Sequence, residues 1–486
     1  MTRRSAWWQP QGRRPWRWLS LDKYRANHPQ AALEDATHCK IRGMKLIEEL
    51  ECKLDSFDSA ERKQALLSLC EKVKAGEITL PEAGTDVNLH CHTFFSYNTY
   101  GYSPSKFAWL ARKAGLAVAE VVDFDVLDAV DEFLEAAKML GLKGCAGMET
   151  RVFVPEFANR VINSPGEPGI SYHMGVGFPS SDVPDEQKEF LLGLRETAQQ
   201  RNRDLMGRVN KYLQPVTLDY ERDVLILTPA GNPTERHICL AYARKAKELF
   251  ADTNALAKFW SEKLGADAKS LGLPEGRDLL NTIRAKTMKR GGVGYVLPDK
   301  GSFPTMADTN QFLLAAGAIP TVTWLDGTSE GEKAIEELLE VAMSTGSAAI
   351  NVIPDRNYGP AIANEKLKNL YEVIEIAEKL HLPVVVGTEM NSPGQRFVDD
   401  FASEELSPLV PVFLKGAHIV YAHSVLQQKC GFGYTSDWAE KNFRNVAEKN
   451  RFFQELGSLL EPQHEDKLAG LSEDVTAREV LDKVRK

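Results

Sequence analysis

Two histidines stand two residues apart in a short strand-like run, His90 and His92 in Asp86-Val-Asn-Leu-His-Cys-His-Thr93. Side chains of a strand alternate between its two faces, so both imidazoles are expected to point the same way. Imidazole is a ligand for zinc, iron and manganese, and two imidazoles on one rigid strand restrict the position of an ion. The spacing therefore indicates a metal site, although two polar residues on a solvated strand face would give the same pattern.

Further polar residues come directly after other apolar, strand-like segments or in the loops that follow them. They are Asp123, Asp125, Glu149, His173, Glu389 and Asn391. Catalytic groups of α/β barrels lie at these ends of the strands. A lone carboxylate that closes an apolar strand is costly to desolvate without a cation, which favours ligation by Glu149.

The other residues of this set leave two interpretations open. His173 fits a metal ligand and a hydrogen-bonded core histidine equally well. Asp123 and Asp125 are candidates for a catalytic or ligand-orienting role, but they could also begin the next helix as caps. Turn formation in a loop that contains proline and glycine explains Asn391 almost as well as substrate binding does.

The segments that carry these residues alternate between helix and strand, which indicates a parallel sheet. Amphipathic helices are predicted over 105–113 and 129–140, and strands over 118–122 and 143–147. Three further helix–strand units are predicted with helices over 309–316, 330–343 and 364–380 and strands over 318–323, 348–353 and 383–386. This repetition indicates a barrel.

The change of pattern along the chain divides it into five parts. We expect a helical N-terminal extension with a basic, tryptophan-rich start and the first half of the barrel, then a mostly helical inserted domain with one strand-like segment at 223–228. The second half of the barrel and a helical tail follow. The limits of these parts are 1–84, 85–180, 181–291, 292–424 and 425–486.

Composition bounds the classes of function. Of 486 residues, 43% are hydrophobic and 26% are charged, as in soluble globular proteins. The 59 basic and 68 acidic residues leave a net charge of -9, which argues against general nucleic-acid binding. Seven scattered cysteines without a C-x-x-C pair fit a reducing compartment, and neither a secretory signal nor a membrane span is predicted. We expect a cytoplasmic protein that acts on a small, anionic molecule.

The motifs resemble those of the polymerase and histidinol phosphatase (PHP) superfamily of metal-dependent phosphoesterases. The family motifs run D-x-H-x-H-T, T-D-H-D, G-x-E, a histidine before a small apolar run, A-H-P and a closing D-x-H. The resemblance covers residues 86–177 closely and 292–394 more loosely. It implies a distorted (β/α)7 TIM-like barrel with an insertion, binding up to three divalent ions. In the insertion, Pro233-Thr-Glu-Arg-His-Ile238 resembles a G-R-P-H-I segment of one phosphoesterase branch, which makes Arg236 and His237 candidates for substrate binding.

The first metal site of the family matches residues that can bind metal. The resemblance assigns His90, His92, Glu149 and Glu389 to it, with glutamate in place of the closing aspartate. Since glutamate also ligates through oxygen, this site can survive. The implied cofactor is zinc, manganese or iron, as one ion or two.

The other two sites depart from the pattern. The second site shares Glu149 and takes His173, but Trp324 stands at the third position, so Asp326 or His423 would have to replace it. At the third site no family histidine is retained, because the matching residues are Asn98, Phe124 and Asn391. A reduced centre is expected.

Three functions fit a reduced centre. The first is hydrolysis of a small phosphorylated metabolite or nucleotide by metal-activated water, with Arg236, His237 or the pair Lys289 and Arg290 binding the anionic group. The second is hydrolysis of an amide or lactone, for which one metal ion and a general base suffice. The third is a ligand-binding barrel whose catalytic centre has decayed.

Overall fold

Seven strands form one sheet, in which each strand lies beside the next one in sequence. A computed structural model describes residues 45–298, 301–359, 362–392 and 394–485, so the basic start of the chain lies outside the described residues. Residues 49–486 form one compact unit; of the unit 1–48, only 45–48 are described, and these are helical. The strands are β1 Val87–Cys91, β2 Val118–Phe124, β3 Lys143–Phe153, β4 Ile170–Val176, β5 Ile319–Trp324, β6 Ala349–Val352 and β7 Val384–Val386.

The segment after β7 returns to β1 and nearly closes the sheet. The backbone N–H of Glu389 donates to the carbonyl of His90 at 2.7 Å, and the N–H of His92 donates to the carbonyl of Glu389 at 2.9 Å. This approach needs a glycine at Gly387, where a β-carbon would lie only 2.3 Å from the backbone nitrogen of His90. The predicted TIM-like α/β barrel is confirmed.

Strand β4 runs opposite to both of its neighbours, whereas all other strand pairs are parallel. In its register with β3, Met174 lies opposite Glu149 and His173 lies opposite Thr150. Directly opposed residues share a face of the sheet, and adjacent residues alternate. Glu149 and His173 therefore point to opposite faces of the sheet. The sequence predicted a parallel sheet, so the reversed direction of β4 was not expected.

Helices surround the barrel and continue into both extensions. Several begin with a side-chain cap, as at Ser103, whose Oγ accepts the N–H of Lys106. Up to β5 they are α1 Ser59–Lys74, α2 Pro104–Ala114, α3 Val130–Leu140, α4 Asp185–Leu213, α5 Glu235–Leu249, α6 Thr253–Leu264, α7 Arg277–Thr287 and α8 Met306–Ala315. After β5 come α9 Glu330–Lys333, α10 Ile335–Ser344, α11 Asn364–Lys379, α12 Val410–Cys430, α13 Asp437–Asn442, α14 Val446–Leu459 and α15 Ala477–Arg485.

Helices α4 to α7 lie between β4 and β5 and pack around an apolar core of their own. Its fully buried members include Val209, Ile238, Tyr242, Trp260 and Ile283. The predicted strand over 223–228 is wrong, because Tyr220–Val224 forms a π-helical turn and Leu225–Leu227 a 3-10 turn. The side chain of Asp219 accepts the N–H of Arg222 and starts this helical turn. The domain limits 181–291 stay a prediction.

Helix α12 is long and apolar enough to cross a membrane by length and composition, but 67% of its most apolar window is buried inside the protein. A β-carbon on Gly416 would lie 1.9 Å from the carbonyl oxygen of Val384, so the helix packs directly against β7. Burial against the barrel therefore accounts for its composition. The predicted limit at 424/425 falls within this helix, and the cytoplasmic location stays a prediction.

Candidate metal centre

Three buried ligand atoms converge inside the barrel. Nε2 of His90 lies 3.5 Å from Oε2 of Glu149, and Nε2 of His92 lies 3.3 Å from the same oxygen. Among the described residues, none of the three atoms has a hydrogen-bond partner, and ligand atoms of the three residues lie within 4.8 Å of one another. Buried polar atoms without partners are costly. A divalent cation among them would satisfy all three, so this donor set fits zinc, manganese or iron.

The orientation of the first imidazole is set from β6. Nδ1 of His90 lies 3.1 Å from Oδ1 of Asn351, whose amide group donates to the carbonyl of Val385 at 3.2 Å. This second bond fixes which end of the Asn351 amide faces the ring, so we assign the proton of His90 to Nδ1. The lone pair on Nε2 is left to face Glu149.

The second imidazole is held by the loop after β1. Nδ1 of His92 lies 3.3 Å from Oγ of Ser96, and this hydroxyl donates to the carboxylate of Asp123. Asp123 also accepts the backbone N–H of Thr93 at 2.8 Å. Because the Ser96 hydroxyl donates its proton to Asp123, the Ser96 oxygen accepts from Nδ1 of His92. Nε2 of His92 is then free to bind a metal. These contacts support a positioning role for Asp123; its predicted catalytic role stays a prediction.

The electrostatics of the three ligands are mutually stabilising. Burial raises the pKa of Glu149, but both histidines outweigh this and lower it to about 2. Burial lowers the pKa of His90, and the carboxylate of Glu149 outweighs that effect and raises it. Glu149 is therefore an anion at neutral pH and supplies the negative charge that a divalent cation needs.

Glu389, the predicted fourth ligand, lies beside this cluster but is bound elsewhere. Its Oε2 accepts from Nη2 of Arg356 at 2.8 Å and from Nε2 of Gln395 at 2.9 Å. Its backbone has φ of 60°, which is a strained conformation for a residue with a side chain. The structure therefore places the backbone of Glu389 against β1 while the carboxylate pairs with Arg356, outside the three-ligand cluster.

The structure does not bring His173 to the cluster. Its Nε2 lies 2.6 Å from Oδ1 of Asn310 on α8, so His173 points to the face of the sheet opposite to that of Glu149. Burial lowers the pKa of His173 to about 4. The two residues named as replacements are also engaged elsewhere. Asp326 pairs with Lys366 at 2.8 Å, and Nδ1 of His423 accepts the N–H of Tyr434 at 2.8 Å. The proposed ligand set is therefore without His173.

Two residues at the predicted third site brace His92 instead. The ring of Phe124 stacks on the imidazole with centroids 4.4 Å apart, and Nδ2 of Asn98 donates to the carbonyl of His92 at 2.8 Å. Asn391 lies half-buried in the loop after β7. Its predicted role in substrate binding stays a prediction.

Two solved structures resemble the chain. An amidohydrolase from Chromobacterium violaceum, with bound sulfate and no metal, is 16% identical over 64% of this chain and 88% of its own, with a TM-score of 0.44. A protein from Bifidobacterium adolescentis, described provisionally as a metal-dependent phosphoesterase, is 17% identical over 69% of this chain and 98% of its own, also with a TM-score of 0.44. No protein-family model and no curated protein matches the sequence.

The inserted helices reach the mouth of the barrel, the end at which β1 and β7 lead into the metal centre. Nδ2 of Asn232 donates to the carbonyl of Phe124 at 2.7 Å. Arg236 donates from Nη2 to Oγ of Ser392 at 2.6 Å and from Nη1 to Asn281 at 2.6 Å. The predicted substrate-binding residue Arg236 therefore bridges the insertion and the loop after β7.

The remaining predicted anion-binding residues differ in their surroundings. Nδ1 of His237 accepts the N–H of Thr234 at 3.0 Å and caps α5, and burial lowers its pKa to about 3, so this histidine is neutral; its predicted role in substrate binding stays a prediction. Lys289 is paired with Glu235 at 2.8 Å. Arg290 donates to the carbonyl of Gly166 at 3.3 Å. Lys289 and Arg290 both retain a positive charge that an anion would need, although Glu235 offsets part of the charge of Lys289.

Asp125 lies on the other side of β3 from the metal cluster. Its Oδ1 accepts the hydroxyl of Thr150 at 2.6 Å. Together with Arg201 it lines a cavity of about 280 Å³. Burial raises the pKa of Asp125, and Arg201 partly offsets this. The structure thus separates Asp125 from the histidines, and its predicted catalytic role stays a prediction.

Three residues at the mouth were missed by the reasoning from sequence. Arg151 lies two residues after Glu149 on β3, and Tyr172 of β4 lies opposite it, so all three share a face. Strand alternation would have revealed Arg151. Arg356 follows β6 directly, and its place after a strand end was the available signal.

Proposed function

We propose that the protein is a metal-dependent hydrolase that holds one divalent cation with His90, His92 and Glu149. The observation that carries this proposal is the convergence of three buried, unpartnered ligand atoms within 4.8 Å. When bound, such a cation supplies charge that activates water and stabilises developing negative charge on oxygen. Zinc, manganese and iron all fit this donor set.

The substrate we propose is a small phosphate monoester. Two cationic side chains lie at the mouth: Arg151 shares the strand face of Glu149 and pairs with Glu167 at 3.1 Å, and Arg236 reaches in from the insertion. In the reaction, water adds to phosphorus, the bond from phosphorus to the alcohol oxygen breaks, and the alcohol takes a proton as phosphate leaves. The overall net charge of -9 argues against a nucleic acid as partner, and we propose neither a nucleic acid nor a membrane as partner.

The order of the strand-end motifs supports membership of the PHP superfamily as part of the same proposal.

A second candidate function is hydrolysis of an amide or lactone. The pairing of Glu389 with Arg356 favours a single-ion centre, and one ion with activated water suffices for acyl chemistry. Parallel assays on phosphate esters, amides and lactones separate the two candidates.

Metal analysis with matched variants tests the proposal. Purified protein should contain about one equivalent of a divalent transition metal, and His92→Ala and Glu149→Gln should each lose it together with turnover. His464→Ala is the control, since this histidine is exposed and outside the cluster. Retention of metal by His92→Ala, or wild-type protein that binds no metal when supplied with it, would contradict the proposed function.

A further inference from the structure

Arg356 lies next to the metal centre through Glu389. The backbone of Glu389 bonds to both His90 and His92, and its carboxylate accepts from Nη2 of Arg356 at 2.8 Å. The guanidinium is thus one side chain away from the two imidazoles. Arg356 is the last residue of the 3-10 turn Pro354–Arg356, which follows β6. The ends of barrel strands are where catalytic groups lie.

The guanidinium has capacity for a further ligand. Its Nε is buried and has no hydrogen-bond partner among the described residues, although buried polar groups are normally paired. The Arg356 side chain as a whole is still 41% exposed, so an incoming molecule can reach its exposed part. Glu389 raises the pKa of Arg356, with smaller contributions from Asp355 and Tyr172.

The described residues offer no donor set for a second divalent ion. Glu389 is bound to Arg356, His173 points to α8, and Trp324 has no metal ligand to offer. A hydrolase that uses two ions places the second charge on the transferring group. Glu389 holds a fixed positive charge beside this centre, that of Arg356, which cannot lose its proton in the physiological range.

We propose that Arg356 takes the place of a second metal ion: it neutralises Glu389 and donates an N–H group that Glu389 does not use to an anionic oxygen of the substrate. This inference rests on the proposed function and deepens it. Arginine suits the task because its planar guanidinium can bind one carboxylate and a phosphate oxygen at the same time. A lysine at this position would carry the charge but not the second, oriented donor.

Binding of inorganic phosphate, measured by calorimetry on metal-loaded protein, tests this role without depending on turnover. Arg356→Ala should bind phosphate about 10-fold to 100-fold more weakly than wild type, the loss expected for a charge-assisted hydrogen bond. Arg356→Lys should lie between them. Arg478→Ala, which changes an arginine whose side chain is 90% exposed, should bind like wild type. Guanidinium ion, added far below unfolding concentrations, should restore binding to Arg356→Ala alone.

Arg356→Gln protects the test against misfolding, because glutamine can still donate to Glu389 while lacking the charge. It should keep one equivalent of metal and bind phosphate weakly. Wild-type affinity for phosphate in Arg356→Ala or Arg356→Gln would overturn the inference, as would loss of the metal from Arg356→Gln or two ions in wild type. Failure of the proposed function looks different, since the wild type would then bind no metal or His92→Ala would keep it.

Discussion

Oγ of Ser96 lies 3.3 Å from Nδ1 of His92, on the opposite side of the imidazole from Glu149. Because the Ser96 hydroxyl donates to Asp123, its oxygen fixes the ring tautomer. Ser96→Ala should therefore lower metal affinity about 10-fold to 100-fold, the usual cost of losing an outer hydrogen bond to a ligating histidine. Competition with a chromophoric chelator measures this affinity.

Ser458→Ala is the matched control for this change, since Ser458 is an exposed residue of α14. Its affinity should equal that of wild type. Equal affinity in Ser96→Ala would contradict the prediction and leave the orientation of His92 to its contacts with Phe124 and Asn98.

Glu120 on β2 leads to a prediction about pH. The side chain is fully buried, its Oε1 accepts the N–H of Gly177 at 2.9 Å, and its Oε2 has no partner in the part of the chain that the structure describes. Burial raises its pKa to about 8, whereas a glutamate in the unfolded chain titrates near about 4.3. Between these two values only the folded state holds the proton, so this group makes stability fall by up to about 1.4 kcal/mol per pH unit as pH rises.

Glu120→Gln removes this titration and keeps an oxygen for Gly177. The variant should gain stability over wild type at pH 8 and lose that advantage at pH 4, which chemical unfolding at several pH values measures. Glu473→Gln, an exposed carboxylate change, should show no such dependence. Parallel stability curves for wild type and Glu120→Gln would contradict the prediction.

Local periodicity predicted most elements of the barrel, because each strand is a short apolar run and each helix has one apolar face. The helix predicted over 105–113 is α2, Pro104–Ala114, and the strand over 383–386 is β7, Val384–Val386. The failures concern non-local contacts. Strand direction depends on how the chain returns, so the antiparallel β4 left no local signal.

The same distinction between local and non-local contacts applies to the predicted site residues. His90 and His92 are related by strand alternation, and their convergence with Glu149 follows from parallel neighbours. His173 is turned away by the reversal of β4, and the carboxylate of Glu389 is drawn to Arg356, which lies 33 residues before it in the chain. Side-chain pairing across different β–α units cannot be obtained from local spacing.

Gly387 leads to a prediction about barrel closure. A β-carbon there would meet the backbone nitrogen of His90 at 2.3 Å, which side-chain rotation cannot relieve. Gly387→Ala should therefore destabilise the fold by roughly 3 kcal/mol or more, or abolish soluble expression. Gly207→Ala on α4, where nothing lies within 4 Å, should be neutral or slightly stabilising. Circular dichroism during urea unfolding measures both, and equal midpoints would contradict the prediction.

The contact between Arg236 and Ser392 joins the inserted helices to the loop after β7, at 2.6 Å between Nη2 and Oγ. Arg236→Ala should raise KM for an anionic substrate about 10-fold or more, because it removes both a cation and this bond. Ser392→Ala removes only the bond and should raise KM by a smaller factor. If Arg236 acts partly through Ser392, the double variant should be less impaired than the product of the two single effects.

The double-mutant cycle therefore separates two roles for Arg236. A coupling of about 1 kcal/mol between the two changes would mean that Ser392 holds the guanidinium in place for the substrate. Strictly additive effects would mean that Arg236 binds the anion independently of the loop. An unchanged KM in Arg236→Ala would remove Arg236 from the substrate site altogether and leave anion binding to Arg151 and Arg356.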